Sequence, residues 1–128
     1  MKLLPDTHLL LWASGNPEKL SKEAHALLSD QDNELLFSAA SIWEIVIKSG
    51  LERDDFKVDA RLLRRGLFDN GYMELPITSE HTIGVSALPH IHKDPFDRIL
   101  VAQANAEGIT LLTSDSLVAQ YSGPIRKV

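Results

Sequence analysis

The chain contains no cysteine, which excludes a disulfide framework, a thiolate metal site and a cysteine nucleophile. It also lacks long apolar runs. Leu9 to Ala13 falls far short of the roughly 20 apolar residues that span a bilayer. The opening Met1-Lys2-Leu3-Leu4-Pro5-Asp6 has neither a charged leader nor a small-residue cleavage site, so a cytoplasmic location without membrane association is expected. No G-x-x-x-x-G-K-S/T loop or G-x-G-x-x-G turn is present, which argues against a glycine cradle for phosphate. Ser38 and Ser41 have no nucleophile-elbow glycines around them, which argues against a serine hydrolase. No repeat or low-complexity tract divides the chain.

The 128 residues are 44% hydrophobic, with scattered charge and a net charge of −5. This composition predicts one compact domain over residues 1–128, large enough to bury roughly two-thirds of its unfolded surface. The acidic balance disfavours binding nucleic acid by blanket neutralisation of phosphates. It does not disfavour cutting nucleic acid, because a cluster of metal-ligating carboxylates is itself negative.

Short apolar runs at Leu3-Leu4, Leu35-Phe37, Tyr72-Leu75, Ile109-Leu112 and Ile125-Val128 read as strands. Helix signals lie between them. Ser21 caps a segment carrying Ala24, Leu27 and Leu28, and Ser38 or Ser41 caps Ile42 to Lys48. Asp59 opens a helix stopped by Asn70-Gly71, and Ser79 caps Glu80 to Leu88. The clearest helix is Asp94 to Glu107, with Asp94 as N-cap, Pro95 at its first position and Gly108 just beyond its end. This alternation predicts an α/β domain with a mainly parallel sheet, in which ligands bind outside the carboxyl ends of the strands.

Four acids fall at that edge: Asp6, Glu44, Asp97 and Asp115. Each has an ordinary explanation. Asp6 suits a helix cap, and Asp115 suits a turn or cap. Glu44 completes a Ser41-x-x-Glu44 capping box and pairs with Lys48 four residues on, both on the polar side away from Ile42, Ile45 and Val46. Asp97 sits in the first helical turn, where the helix dipole favours any anion. Together they form an oxygen-rich set suited to a hard divalent cation, with Thr7, Thr113 and Ser114 placed to orient carboxylates or metal-bound water. Lys93 and Arg98 are the nearest basic residues for a phosphate backbone, and Arg98 has pairing with an acid as its alternative. His90-Ile91-His92 with Asp94 offers zinc donors, but a lone H-x-H in a loop is a poor metal signature.

The segments around the acids resemble a known family. Leu4-Pro5-Asp6-Thr7-His8-Leu9-Leu10-Leu11-Trp12 is similar to the opening of PIN domains (PilT N-terminus type) in the toxins of VapBC toxin–antitoxin systems. Ser38-Ala39-Ala40-Ser41-Ile42-Trp43-Glu44-Ile45 resembles the second acidic motif. His92-Lys93-Asp94-Pro95-Phe96-Asp97-Arg98-Ile99-Leu100-Val101-Ala102-Gln103-Ala104 resembles the third and most specific, and Leu111-Leu112-Thr113-Ser114-Asp115 the fourth. The motifs run in family order nearly end to end.

The resemblance implies a three-layer α/β/α sandwich with a five-stranded parallel sheet. It implies Mg2+- or Mn2+-dependent endoribonuclease activity, a homodimer and inhibition by a cognate VapB-like antitoxin. By motif match Asp6, Glu44 and Asp97 are the core metal ligands, and Asp115 is a fourth acid more variable in its contact with metal. Pro5 departs from the family's usual aliphatic residue. Proline lacks a backbone donor and is disfavoured inside a central strand, so the end of the first strand is expected to shift the aim of Asp6.

The expected reaction is hydrolysis of RNA by metal-activated water. Its rivals are a metal-dependent DNA nuclease or phosphatase, and a catalytically quiet RNA- or protein-binding domain. A receiver domain is disfavoured, because the adjacent acidic pair expected after a first strand is replaced by Asp6-Thr7-His8.

Overall fold

The computed structural model describes residues 1–51 and 58–128. Five strands, β1 (Lys2–Pro5), β2 (Glu34–Ser38), β3 (Met73–Leu75), β4 (Thr110–Thr113) and β5 (Ile125–Lys127), form one sheet in the order β3-β2-β1-β4-β5. All four pairings are parallel. Parallel neighbours need crossovers, and these are supplied by α1 (Thr7–Gly15), α2 (Lys22–Ser29), α3 (Ala39–Gly50), α4 (Ala60–Asp69), α5 (Ser79–Gly84) and α6 (Pro95–Glu107). Among the described residues no helix is long and apolar enough to cross a membrane.

Strand side chains alternate between the two faces of the sheet, and each face has its own apolar core. Leu4, Leu36, Leu75 and Leu111 pack with Leu100, Val101 and Ala104 of α6. On the other face Leu3 and Leu112 meet Leu9 of α1, with Leu27 and Leu28 of α2 against them. Phe37 packs there with Leu10 of α1, Ile45 of α3, and Leu63 and Leu67 of α4. Helices thus cover both faces, giving the three layers expected. Burying each such side chain stabilises the fold by about 1.5–3 kcal/mol. A slip of one residue in β1 would exchange Leu3 and Leu4 between the two cores.

Pro5 is the last residue of the central strand and still pairs with Leu112. The ladder toward β4 continues at the next residue, where Asp6 N–H donates to the Leu112 carbonyl at 2.9 Å. Successive residues point their N–H groups to opposite edges, so the donor that proline lacks would have faced β2. The pairing with β2 lies earlier in the strand, at Lys2↔Glu34 and Leu3↔Leu35.

One helix start resolves a choice the sequence left open, and another differs from the sequence reading. Helix α3 begins at Ala39, with Ser38 Oγ accepting from Ala40 N–H, so Ser41 lies inside the helix and forms no capping box with Glu44. The apolar stripe favoured a start nearer Ile42, but the strand runs directly into the helix and the hydroxyl of its last residue caps it. Helix α5 is capped by Thr78 rather than Ser79, in a capping box closed by His81. It gives way to a 3₁₀ turn over Val85–Ala87. Helix α6 follows the sequence signals: Asp94 caps it, and Gly108 ends it at φ 66° with its N–H on the Ala104 carbonyl.

Candidate metal centre

Asp6 leaves β1 at its carboxyl end and caps α1, so one residue ends a strand and starts a helix. Its carboxylate is 3% exposed. Leu9 N–H donates to Oδ1 at 3.0 Å, and Thr113 Oγ–H donates to Oδ2 at 2.7 Å. Burial raises the Asp6 pKa above the ordinary aspartate value, against the pull of these two bonds and of His8; the Asp115 charge adds to the rise. A cap and a buried ligand are therefore compatible roles for this side chain.

Glu44 departs from the sequence reading. Its predicted place was the polar side of α3 with Val46 turned inward, yet Glu44 is 2% exposed while Val46 is 53% exposed. The helix turns its charged stripe toward the site and leaves Trp43, Val46 and Ile47 outward. Lys48 pairs with Glu44 Oε2 as the spacing predicts. Among the described residues, the buried Oε1 has no hydrogen-bond partner.

Asp97 occupies the first turn of α6. Burial pushes its pKa up to about 7, and the charges of Asp94, Asp6 and Glu44 push in the same direction against His92. That Asp97 feels Asp6 and Glu44 places acids from β1, α3 and α6 within one electrostatic neighbourhood. Asp115, just past β4, joins them through His92. The imidazole Nε2 lies 3.1 Å from Asp97 Oδ2 and 3.3 Å from Asp115 Oδ2. Burial acts to raise the Asp115 pKa, but the N–H groups of Leu117 and Val118 and the nearby His92 outweigh it, leaving Asp115 below its ordinary value.

Asp6, Asp97 and Asp115 line one cleft of about 320 Å³ together with His8, Trp12, Ser114 and Ser116. Donor atoms of His92, Asp97 and Asp115 all lie within 4.8 Å of one another. The residues fit a divalent cation on chemical grounds. The donor set is rich in carboxylate oxygen, one buried carboxylate oxygen has no partner among the described residues, and burial together with neighbouring acids pushes Asp97 up to about 7.

The flanking residues fall into distinct roles. Thr113 bonds Asp6 and also accepts from Asp115 N–H at 3.0 Å. Thr7 turns instead to α3, its hydroxyl donating to Ser41 Oγ at 3.0 Å. Ser114 lines the cleft, and Lys93 is exposed on the loop before α6. Arg98 corrects the sequence reading. Its guanidinium donates to the carbonyls of Pro89, Val85 and Leu88 and to the Tyr121 hydroxyl, which ties down the segment before α6 rather than reaching an acid or the cleft. Five donors in a rigid fork suit several carbonyls at once.

His92 is the participant whose place sequence reasoning did not find. Its position beside Asp94-Pro95 was visible, but only the return of the chain through Asp115 gives it a second carboxylate. Its Nδ1 accepts from Asp94 N–H at 3.2 Å, which directs an Nε2 proton toward the two acids. Asp94 caps α6 through Oδ1, and among the described residues His92 gathers with Asp97 and Asp115 rather than with His90 and Asp94.

A family model described as PIN domain matches residues 3–123. No curated protein matches the chain at a significant level. Among solved structures, the chain is similar to one chain of VapBC2 from Rickettsia felis bound to a DNA fragment from its promoter, at 13% identity and a TM-score of 0.72. It is also similar to DNA-bound VapBC from Salmonella typhimurium, at 15% and 0.66, and to VapBC-1 from nontypeable Haemophilus influenzae, at 11% and 0.61. Each comparison covers 99% of this chain and 98% of the other. At such identities the solved structures speak for the fold, and the family model, which spans nearly the whole sequence, speaks for the lineage: this chain belongs to the PIN domain family.

Proposed function

We propose that the chain is a divalent-metal-dependent endoribonuclease, acting as the toxin of a VapBC-type pair. The observation that carries this reading is the convergence of Asp6, Asp97 and Asp115, from three separate chain segments, on one cleft, with the charge of the buried Glu44 acting on Asp97. Asp6, Glu44 and Asp97 would hold Mg2+ or Mn2+, with Asp115 as the fourth acid. When bound, such an ion supplies Lewis acidity that favours ionisation of water and stabilises the leaving oxygen of a phosphodiester.

The chain's own groups prepare that chemistry. Thr113 fixes the orientation of Asp6, so one carboxylate edge faces the cleft in a single geometry. His92 holds Asp97 and Asp115 at a common point. Ser114 lines the same cleft, where its hydroxyl can meet a phosphate oxygen or an ordered water, and Lys93 is the exposed cation nearest in sequence for the RNA backbone. Arg98 supports the wall behind them.

The solved neighbours are VapBC assemblies. By analogy this chain pairs with a VapB-like antitoxin and forms a homodimer, and it works in the cytoplasm. Cleavage of RNA, single-stranded DNA and phosphomonoesters, with Mg2+ or Mn2+ and with chelator, tests the reaction class. Metal-dependent cutting of RNA that disappears in Asp97→Asn is the expected result. Equal cleavage by wild type and Asp97→Asn would remove the site, and preference for DNA or phosphomonoesters would replace the substrate. Metal binding without any hydrolysis would leave a quiet binding domain.

A further inference from the structure

We infer that Gln103 is a positioning residue, pinning the start of α3 to α6 through Ser38 and so setting Glu44 against Asp97. The inference rests on the metal-centre reading above, and deepens it. Gln103 and Ser38 are both 0% exposed, and Ser38 Oγ–H donates to Gln103 Oε1 at 2.6 Å. The orientation of the amide follows from its neighbours. Ser38 Oγ already accepts from Ala40 N–H at 3.0 Å, so its own hydrogen seeks an acceptor, which must be the amide oxygen. The Pro76 carbonyl, 3.4 Å from Nε2, can only accept, which places the amide nitrogen on that side.

A primary amide is an expensive occupant of this position. Leu100, Val101 and Ala104 beside it in α6 belong to the apolar core, and an apolar side chain there would need no partners, whereas a buried amide must have them. What the amide adds is a directional link between two helices. Gln103 lies six residues after Asp97 in α6, and Ser38 lies six residues before Glu44 at the head of α3. At about 1.5 Å per residue each acid stands roughly 9 Å along its helix from the shared bond. Ser38 Oγ also caps α3 by accepting from Ala40 N–H, so one hydroxyl both marks where that helix begins and ties it to α6. The same side chain lies 3.4 Å from His81 Nδ1, and His81 Nε2 meets Glu107 at 2.8 Å, which extends the polar link along α6 to α5.

Partners that orient metal ligands from outside the ligand set typically change metal affinity by about 10- to 100-fold when removed. The test is Mn2+ binding by calorimetry and paramagnetic resonance on the full chain, as wild type, Gln103→Leu, Ser38→Ala and the double variant, with circular dichroism to establish folding. Each single variant is expected to weaken Mn2+ by about 10-fold or more, and the double variant no further than Ser38→Ala, because both changes remove one bond and Ser38→Ala also removes the α3 cap. Amide hydrogen exchange without metal gives an independent readout: protection across the first turns of α3 should fall in Gln103→Leu while that of β4 is kept. If Gln103→Leu does not fold, Gln103→Met carries both measurements, since Ser38→Ala also removes the α3 cap.

A wild type that binds Mn2+ with a folded variant that binds it equally well would overturn the inference. Unchanged exchange in α3 would overturn it too. If the wild type itself binds no Mn2+, the nuclease reading fails, and the exchange measurement still decides whether the pin exists.

Discussion

Thr113 Oγ–H donates to Asp6 Oδ2 at 2.7 Å, joining the tips of β1 and β4 across 107 positions of sequence. The same oxygen accepts from Asp115 N–H at 3.0 Å, so one hydroxyl sets two of the four acids. Both ends of the bond are buried, which makes its loss costly. Thr113→Val keeps the shape and removes the donor. It should lower stability by about 1–3 kcal/mol, the range for leaving a buried polar group unpaired, and push the Asp6 pKa higher still, since the bond now holds it down. Chemical denaturation and carboxyl NMR titration read the two effects. A variant with unchanged stability and an unchanged Asp6 would deny the bond its role.

Asp97 contributes to the pH response of the metal-free protein, in the same direction as Asp6. Its pKa is about 7 in the fold against an ordinary 3.8, so between those values the folded state holds a proton that the unfolded state releases. The stability this group permits is fully present below about 3.8 and is lost as pH rises through about 7. At about 1.36 kcal/mol per unit, the loss is on the order of 4 kcal/mol. Urea unfolding in chelator should therefore show a weaker protein at pH 8 than at pH 5, with much of the difference gone in Asp97→Asn. Identical pH slopes in the two proteins would assign the effect elsewhere.

Proton and cation compete for the same carboxylate, so Mn2+ affinity should rise with pH through about 7. Calorimetry in buffers of different ionisation enthalpy should detect proton release on binding near that pH. Asp97→Asn should lose both the affinity and the proton release. A flat affinity profile between pH 6 and 8 would count against Asp97 as a ligand.

Arg98 should behave as a structural residue. Arg98→Ala leaves three carbonyl acceptors and the Tyr121 hydroxyl short of a donor, and hydrogen bonds to a charged group contribute about 1.5–3 kcal/mol each. The expected loss in thermal unfolding is a few kcal/mol by that measure. Arg98→Lys should recover only part of it, because an ammonium cannot reproduce the fork. If Arg98→Ala kept full stability and lost only RNA affinity, the side chain would belong to the substrate surface.

Leu100, 1% exposed in the core between α6 and the sheet and one turn past Asp97, offers a control for packing beneath that acid. Leu100→Ala should cost about 2–5 kcal/mol, the range for large-to-small changes in packed cores. In the fraction that stays folded, Mn2+ affinity should be close to wild type. A selective loss of Mn2+ binding would show that packing under α6, and not the Ser38–Gln103 bond alone, sets Asp97.

Much of this molecule was legible in its sequence because the signals are local. The run of Asp94, Pro95 and Gly108 marked α6 nearly to the residue, since caps and helix-end conformations depend on adjacent groups. The parallel sheet followed from the alternation of apolar runs with helical patterns. The polar side of α3 that carries Glu44 and Lys48 is legible in the sequence, but its burial and the exposure of Val46 are not, because a helical wheel does not show that this side faces other acids. Arg98 was offered to phosphate because a sequence shows a charge and not the carbonyls around it.

What the sequence by itself determined is most of the elements, a set of four candidate acids and the family to which their motifs belong. Periodicity, capping and motif order all act over a few neighbouring residues. The tertiary structure alone decided that Glu44 is buried, that His92 bridges Asp97 and Asp115, and that Gln103 reaches Ser38. Those relationships depend on where distant segments meet. The acids become a site only when four chain segments share one low-dielectric neighbourhood, because crowding of like charges is a property of distance in space and not of separation along the chain.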